Sequence, residues 1–519
     1  MTPSEFPSQR VSTSVAIIGA GLMGRGIAQI AAQAGFEVML IDSKPGAAST
    51  ARQAIGETLK TLTAKGKIVA ADAERALDRI TLPDELAALA GAHIVVEAIV
   101  EQLEAKRSLF RSLETIVSDQ CILATNTSSL SVTAIAAACV RPERVAGLHF
   151  FSPVPVMKLV EVIDGLLTSQ DVVQRLVDFG AALGHKPVRA KDTPGFIVNH
   201  AGRGLGTEAL RILGEGIAGH DAIDRTLKGG AGFRMGPFEL LDLTGLDVSH
   251  PVMESIYHQY YEEPRFRPSP VTAQRLAAGV LGRKSGRGFY EYGGTGTATA
   301  SPRASPQPPT AKAPHESPVR RRVWIGPGDA RGGVADLLRR LGASIDDERT
   351  PASDSICLLL PLGIDATTAA IDAGVNPVHT VALDTLPDLS QQRTLMSTPV
   401  TDQSTRQAAL ALLGVDGVNV ELIHDSPGFI IQRVLAHIVN VACDIAQQRI
   451  ATPADIDLAV QLGLGYPKGP LAWGDAIGPE RVVAILQGLS TTYGDPRYRA
   501  SVWLSRRARL GVSLLTPEA

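Results

Sequence analysis

A short apolar run, Val15-Ala-Ile-Ile18, leads without a break into Gly19-Ala-Gly-Leu-Met-Gly24. Apolar residues at Ile27, Ile30, Ala31 and Ala34 then follow a helical spacing as far as Gly35. A second apolar run, Glu37 to Ile41, ends on Asp42, 42 − 24 = 18 residues past the last glycine. Strand, glycine turn, helix, strand and acidic residue in this order predict a dinucleotide-binding βαβ unit. Each residue type has a physical job. Gly19 permits the tight turn, Gly21 lets the backbone approach a pyrophosphate, and Gly24 lets helix and strand pack closely. Leu22 and Met23 open the helix, whose unpaired N–H groups face the phosphates. Asp42 is placed to accept from ribose hydroxyls and to repel a 2′-phosphate, so the cofactor expected is NAD, with Gly19, Gly21, Leu22, Met23, Gly24 and Asp42 as its contacts.

Further apolar runs at Ala92 to Ala98, Cys121 to Thr125 and Arg144 to Phe150 extend the α/β pattern. In such sheets ligands gather beyond the carboxyl ends of the strands. Glu97 to Glu101, Ser128 and His149 fall at those ends. After His149, Pro153 and Pro155 punctuate a bend, because proline fixes φ and withholds a donor. The strand expected next, Lys158 to Ile163, carries one carboxylate, Glu161, in an apolar run. A buried carboxylate needs a partner, and His149 is within reach if the chain doubles back. A carboxylate-oriented imidazole moves protons at neutral pH. A satisfied core histidine beside a surface glutamate is the plainer alternative.

Composition narrows the function classes. The formal net charge of −3 over 519 residues gives no electrostatic case for nucleic acid or an anionic membrane. No stretch approaches the roughly 18 apolar residues of a membrane span. The four cysteines, Cys121, Cys139, Cys357 and Cys443, have no metal-ligand spacing, so no metal and a reducing cytoplasm are expected.

Four ordered motifs carry a resemblance: Gly19 to Gly24, Asn126-Thr-Ser-Ser-Leu130, His149 through Glu161, and Asp192-Thr-Pro-Gly-Phe-Ile-Val-Asn199. Together they resemble the L-3-hydroxyacyl-CoA dehydrogenase family over residues 13–292. The resemblance implies NAD-dependent oxidation of an L-3-hydroxyacyl-CoA to the 3-oxoacyl-CoA. It implies His149 as base, Glu161 orienting it, and Ser128 and Asn199 holding the substrate oxygen. It further implies Glu101, Lys106 and Lys284 near the nicotinamide half, and Thr58 and Lys65 on coenzyme A. Ser152 departs from the family's asparagine. Arg203, four residues after Asn199, is a candidate for the distal carboxylate of a dicarboxylic acyl chain, with a surface arginine as the alternative. A non-catalytic NAD or acyl-CoA binding protein, or a dehydrogenase of free 3-hydroxyacids, would share much of this pattern.

The chain also repeats itself. Asp192-Thr-Pro-Gly-Phe-Ile-Val198 returns as Asp425-Ser-Pro-Gly-Phe-Ile-Ile431, and Ile223-Asp to Ile456-Asp keeps the same offset: 425 − 192 = 456 − 223 = 233. Gln432 replaces Asn199, so the second copy is expected to be structural. The expected order is a tail at 1–12, a Rossmann-type NAD domain at 13–190 and an all-α domain at 191–292. A Pro/Ala/Thr-rich linker at 293–320, a degenerate Rossmann fragment at 321–420 and a second α domain at 421–519 follow. The glycine turn near Gly326 is interrupted by Pro327, and no cofactor is expected there. This order resembles the long-form family members of bacterial phenylacetate degradation, which act on 3-hydroxyadipyl-CoA; 3-hydroxybutyryl-CoA is the other substrate expected. A monomer or a homodimer is expected, the repeated helical domain covering a face that short members bury by dimerising.

Overall fold

The protein, seen as a computed structural model, is described over residues 13–293, 298–299 and 321–518. The expected tail and nearly all of the expected linker lie outside those residues. Two compact units account for the chain. One holds residues up to His200 together with Gln448–Leu464, and the other holds Ala201–Gln447 with Gly465 onward.

The first unit is built on β1 (Ser14–Ile18), β2 (Glu37–Ile41), β3 (Ile80–Thr81), β4 (Ile94–Glu97), β5 (Ile122–Thr125), β6 (Val145–Phe150), β7 (Leu159–Asp164) and β8 (Lys186–Lys191). They lie in the order β3-β2-β1-β4-β5-β6-β7-β8. All neighbours run parallel except β6 and β7, which reverse direction across the Pro153–Pro155 bend. β4, β5 and β6 are buried along their whole length, as strands covered on both faces must be. Two strands are not legible in the sequence. β3 has only two residues, and β8 turns Lys186, Arg189 and Lys191 outward along an edge.

The first helix of the all-α region starts at Val198. Gly195 and Phe196 have φ of 78° and 48°, left-handed values that no helix accommodates. The edge beyond β7 is covered from far along the chain. Helix Pro453–Leu464, part of the second helical copy, packs on β7 and β8. There the Lys191 N–H donates to the Ile450 carbonyl at 2.9 Å. A Cβ at Gly463 would lie 3.0 Å from Leu159 and 2.9 Å from Val198, so only glycine lets the helix sit this close.

The second unit contains a small antiparallel pair, β9 (Glu291–Tyr292) with β10 (Ala298–Thr299). Its main sheet comprises β11 (Val323–Ile325), β12 (Ile345–Asp346), β13 (Ile356–Leu359), β14 (Thr380–Leu383), β15 (Gln392–Ser397) and β16 (Asn419–Ile423). Their order, β12-β11-β13-β14-β15-β16, with β14 and β15 antiparallel, is a shortened version of the first sheet. Helix His220–Ala231 of the first helical copy packs on β15. Arg225 holds it there, donating to Glu421 on β16 at 2.7 Å. Each helical copy thus lends its matching helix to the sheet of the other half.

The repeat extends to backbone detail. Phe429, 429 − 196 = 233 residues after Phe196, has φ of 51°. Asp192 accepts from the N–H groups of Val132 and Thr133, and Asp425 from those of Ala366 and Thr367. Helices Val198–Ala201 and Arg203–Gly214 correspond to one unbroken helix, Ile431–Gln447, and Arg203–Gly214 packs against it. Among the described residues, no helix is long and apolar enough to cross a membrane.

Candidate active site

At the carboxyl end of β6, His149 pairs with Glu161 on β7 in register, so both side chains leave the same face of the sheet. Nδ1 of His149 lies 2.7 Å from Glu161 Oε2. Glu161 is fully buried and His149 is 5% exposed, which excludes a solvated pair. The other oxygen, Oε1, accepts from the N–H groups of Ile197 and Val198 at 3.0 and 2.9 Å. The left-handed turn at Gly195 and Phe196 aims those donors, so one carboxylate anchors both the imidazole and the start of the helical region. As a carboxylate, Glu161 can only accept, on Oε2 as on Oε1. Nδ1 of His149 therefore carries the hydrogen, and Nε2 is left as the basic nitrogen. Phe151 and Phe196 pack on the ring, with centroids 4.4 and 5.9 Å away.

The β5 end supplies the neighbouring groups. Asn126 Oδ1 accepts from the Phe150 N–H at 2.8 Å, tying this loop to the strand that carries His149. Asn199 donates from its amide to the Ser128 carbonyl at 3.3 Å, which brings these two expected residues together. Glu101 Oε1 gathers the Thr127 hydroxyl at 2.6 Å, the Ser128 N–H at 2.9 Å and the Ser129 hydroxyl at 3.0 Å. Partial burial pushes the Glu101 pKa up, but Thr127, Lys106 and the serine N–H outweigh it and hold the carboxyl below its ordinary range.

One member of this cluster is placed by the sequence at a strand end but given no role there. Glu97, wholly buried at the end of β4, accepts from Lys106 Nζ at 2.6 Å, Thr125 Oγ1 at 2.7 Å and the Ile99 N–H at 2.7 Å. Lys106 also reaches Glu101 at 3.3 Å, so the ammonium sits between two carboxylates. An acidic residue closing an apolar strand is the available signal, and burial is what gives it meaning. Glu97→Gln is expected to lower the stability of the first unit by about 2 kcal/mol, the scale of a hydrogen bond to a charged group. Urea unfolding followed by tryptophan-independent far-UV signal checks it.

The glycine turn fits NAD on its own geometry. Gly19 has φ of 102°, and a Cβ there would meet the Ala98 carbonyl oxygen at 2.5 Å. A Cβ at Gly24 would strike the Gly19 carbonyl, whereas Gly21 faces open space. Gly21 also caps helix Leu22–Gln33 without any side-chain bond, leaving the helix end to a phosphate. Leu22 is 62% exposed at this turn, as suits an apolar contact to a planar group. Asp42 accepts from the Ala20 N–H at 2.7 Å through one oxygen and from Lys44 N–H at 2.8 Å through the other. It therefore pins the glycine turn to the end of β2.

Of the other expected residues, Thr58 and Lys65 belong to the first unit and Lys284 and Arg203 to the second. Thr58 is exposed on helix Ala47–Ala64 and bonds back to the Ala54 carbonyl, and Lys65 caps that helix, also exposed. Lys284 belongs to the second unit, where its ammonium pairs with Asp247 at 2.7 Å. Arg203 is part-buried in that unit beside Tyr466, and burial lowers its pKa to about 10. Ser152 is exposed.

The second half carries different residues at the matching points. Asp384 stands where His149 does, and its N–H donates to Thr394, which stands where Glu161 does. Gln432, in place of Asn199, donates to Asp384 at 2.9 Å. Burial pushes the Asp384 carboxyl up to about 6. An aspartate facing a threonine reproduces neither the imidazole of His149 nor the carboxylate that holds it.

The profile of the 3-hydroxyacyl-CoA dehydrogenase NAD binding domain matches residues 14–193, and that of the C-terminal domain matches 195–292 and again 428–513. The 3-hydroxyadipyl-CoA dehydrogenase of Escherichia coli K12 is 39% identical over 96% of this chain and 98% of its own length. The chain belongs to the 3-hydroxyacyl-CoA dehydrogenase family. As a member of this family it is an NAD-dependent oxidoreductase, and the duplicated C-terminal domain is part of its family match. The human mitochondrial hydroxyacyl-coenzyme A dehydrogenase is 43% identical over 56% of this chain and 95% of its own. A crystal structure described as 3-hydroxybutyryl-CoA dehydrogenase from Escherichia coli K12 superposes with a TM-score of 0.82 at 38% identity, covering 96% of this chain and 98% of that one.

Proposed function

We propose that this dehydrogenase oxidises L-3-hydroxyadipyl-CoA to 3-oxoadipyl-CoA, with His149 as the general base. The buried, in-register His149–Glu161 pair carries the reading of the base. In this mechanism Nε2 of His149 takes the proton from the 3-hydroxyl as the C3–O bond gains double-bond character. When bound, NAD accepts the hydride that leaves C3. Glu161 steadies the positive charge that His149 acquires, and the Ile197 and Val198 N–H groups keep the carboxylate from moving away. Ser128 and Asn199 hold the substrate oxygen. Glu101 and Lys106 shape the nicotinamide side. Thr58 and Lys65 serve the coenzyme A end. Enzymes of this kind gain most from donors fixed in place before the reaction.

The choice of substrate is supported by the end-to-end likeness to the relative named for 3-hydroxyadipyl-CoA. A second reading, 3-hydroxybutyryl-CoA, is favoured by the description of the superposed crystal structure. NADH formation across a panel of acyl-CoA thioesters decides between them. A higher kcat/KM with the adipyl than with the butyryl thioester is expected, and the reverse order sinks the first reading. The exchange of helices between the two halves supports a chain that supplies its own partner surface, as monomer or homodimer. Four free cysteines, three of them buried, suit a reducing cytoplasm.

A further inference from the structure

Helix Pro453–Leu464, from the second helical copy, seats a glycine on two residues that frame Glu161. A Cβ at Gly463 would lie 2.9 and 3.0 Å from the two γ carbons of Val198 and 3.0 Å from Leu159 Cδ2. Val198 donates its N–H to Glu161 Oε1 at 2.9 Å. Leu159 precedes Glu161 by two residues, so both side chains leave the same face of β7. All of these residues belong to the first unit. The segment leading into the helix is fixed as well, through the Ile450 carbonyl that accepts from Lys191 on β8. Val198 is buried and so is Leu159, so neither has open space to move into.

The same seat occurs in the other half. Gly230, Ile431 and Gln392 match Gly463, Val198 and Leu159 at one offset, 463 − 230 = 431 − 198 = 392 − 159 = 233. A Cβ at Gly230 would strike the Ile431 Cδ1 and reach Gln392. Thr394 stands there in place of Glu161, so that seat has no carboxylate behind it. The side chains also differ in how they can yield. Leu159 and Ile431 are met at the far end of a flexible chain. Val198 is met at both of its γ carbons, one bond from Cβ, and a stiff β-branched side chain passes the push to its backbone.

We propose that Gly463 is a positioning residue for the reaction: it sets Val198 and, through the Val198 N–H, the carboxylate that orients His149. The second helical copy then takes part in catalysis besides covering the sheet. The inference rests on the reading above of His149 as the base.

The test is kcat and KM for NADH formation, per equivalent of NAD bound, in the full-length chain and its variants. Gly463→Ala displaces Val198 by a few tenths of an ångström and is expected to lower kcat about five- to tenfold, with KM for the thioester within about twofold. Gly230→Ala makes the matching intrusion with no carboxylate behind it, and kcat is expected to stay within about twofold of wild type. Val198→Ala removes the two γ carbons and keeps the N–H, so adding it should bring Gly463→Ala back to the rate of Val198→Ala alone. In a Glu161→Gln background Gly463→Ala should cost nothing further, because its route runs through the carboxylate. Unchanged kcat in Gly463→Ala, an equal loss in Gly230→Ala, or the same loss persisting in Glu161→Gln overturns the inference and leaves His149 as the base. A Glu161→Gln enzyme as active as wild type overturns that reading and the inference together.

Discussion

Glu161→Gln is expected to lower kcat by about 10³–10⁴-fold, close to the loss from His149→Ala, although glutamine matches glutamate in shape. The reason is the count of donors around the carboxylate. Oε1 accepts from the Ile197 and Val198 N–H groups, and Oε2 faces His149 Nδ1. A glutamine that keeps its oxygen toward the two N–H groups must turn its amide toward Nδ1. Nδ1 then becomes an acceptor, the hydrogen moves to Nε2, and the base is gone. The opposite amide orientation sets N–H₂ against two backbone donors and loosens the turn at Gly195 and Phe196. The double variant should be no slower than His149→Ala alone, because the two residues act as one device. The measurement is single-turnover NADH formation with saturating thioester, together with NAD affinity by fluorescence. Affinity should stay within a factor of about two, as neither residue belongs to the glycine turn. An active Glu161→Gln enzyme would remove the acid–base role, and a wild type that binds NAD without turnover would favour a non-catalytic NAD or acyl-CoA binding protein.

Why the pair was legible while its supports were not follows from range. One polar residue in an apolar strand, beside a bend marked by two prolines, announces Glu161 and His149 from local pattern alone. The glycine turn is legible for a similar reason at Gly24, which is demanded by the Gly19 carbonyl 24 − 19 = 5 residues away, whereas Gly19 is demanded by the distant Ala98 carbonyl. Glu97 reads as an ordinary strand end until Lys106 and Thr125 close around it, and those contacts come from a helix and a neighbouring strand. The matching site of the second half hides behind a change of spacing. Asp384 follows His149 by 235 residues, whereas Thr394 follows Glu161 by 233, because the bend between β14 and β15 is two residues shorter. A constant offset therefore finds Thr394 and Gln432 but passes over Asp384. The exchange of helices between halves, which seats Pro453–Leu464 on β7 and β8, depends on packing between residues about 300 apart and leaves no local trace.

The second large effect concerns what binds the two helical copies. Arg433 is fully buried in the helix Ile431–Gln447. It donates to Glu208 at 2.9 Å, to Glu215 at 2.9 Å, and to the hydroxyls of Tyr493 at 2.9 Å and Tyr498 at 3.2 Å. Glu208 belongs to the first copy, and Arg497 approaches it at 3.3 Å from the other side. Burial alone would raise the Glu208 pKa, but Arg433 and Arg497 hold it down to about 2. Arg433→Met strands a buried carboxylate from the nearer of its two arginines, with Arg497 left at 3.3 Å, and a loss of about 3 kcal/mol is expected for the second unit. The sign of its pH dependence follows. In wild type the folded pKa lies below the unfolded value near 4.3, so this stabilisation is present above that value and fades as pH falls toward 2. In Arg433→Met the carboxylate is costly while charged, so the gap between variant and wild type should be widest at pH 7 and narrow by pH 4. Adding Glu208→Leu to Arg433→Met should recover 1 kcal/mol or more, since the stranded charge is then gone, although the phenols and Glu215 remain. Urea unfolding at both pH values reads all three. A gap independent of pH would place the loss in packing, and no recovery in the double variant would mean that Glu208 is not the group that Arg433 neutralises.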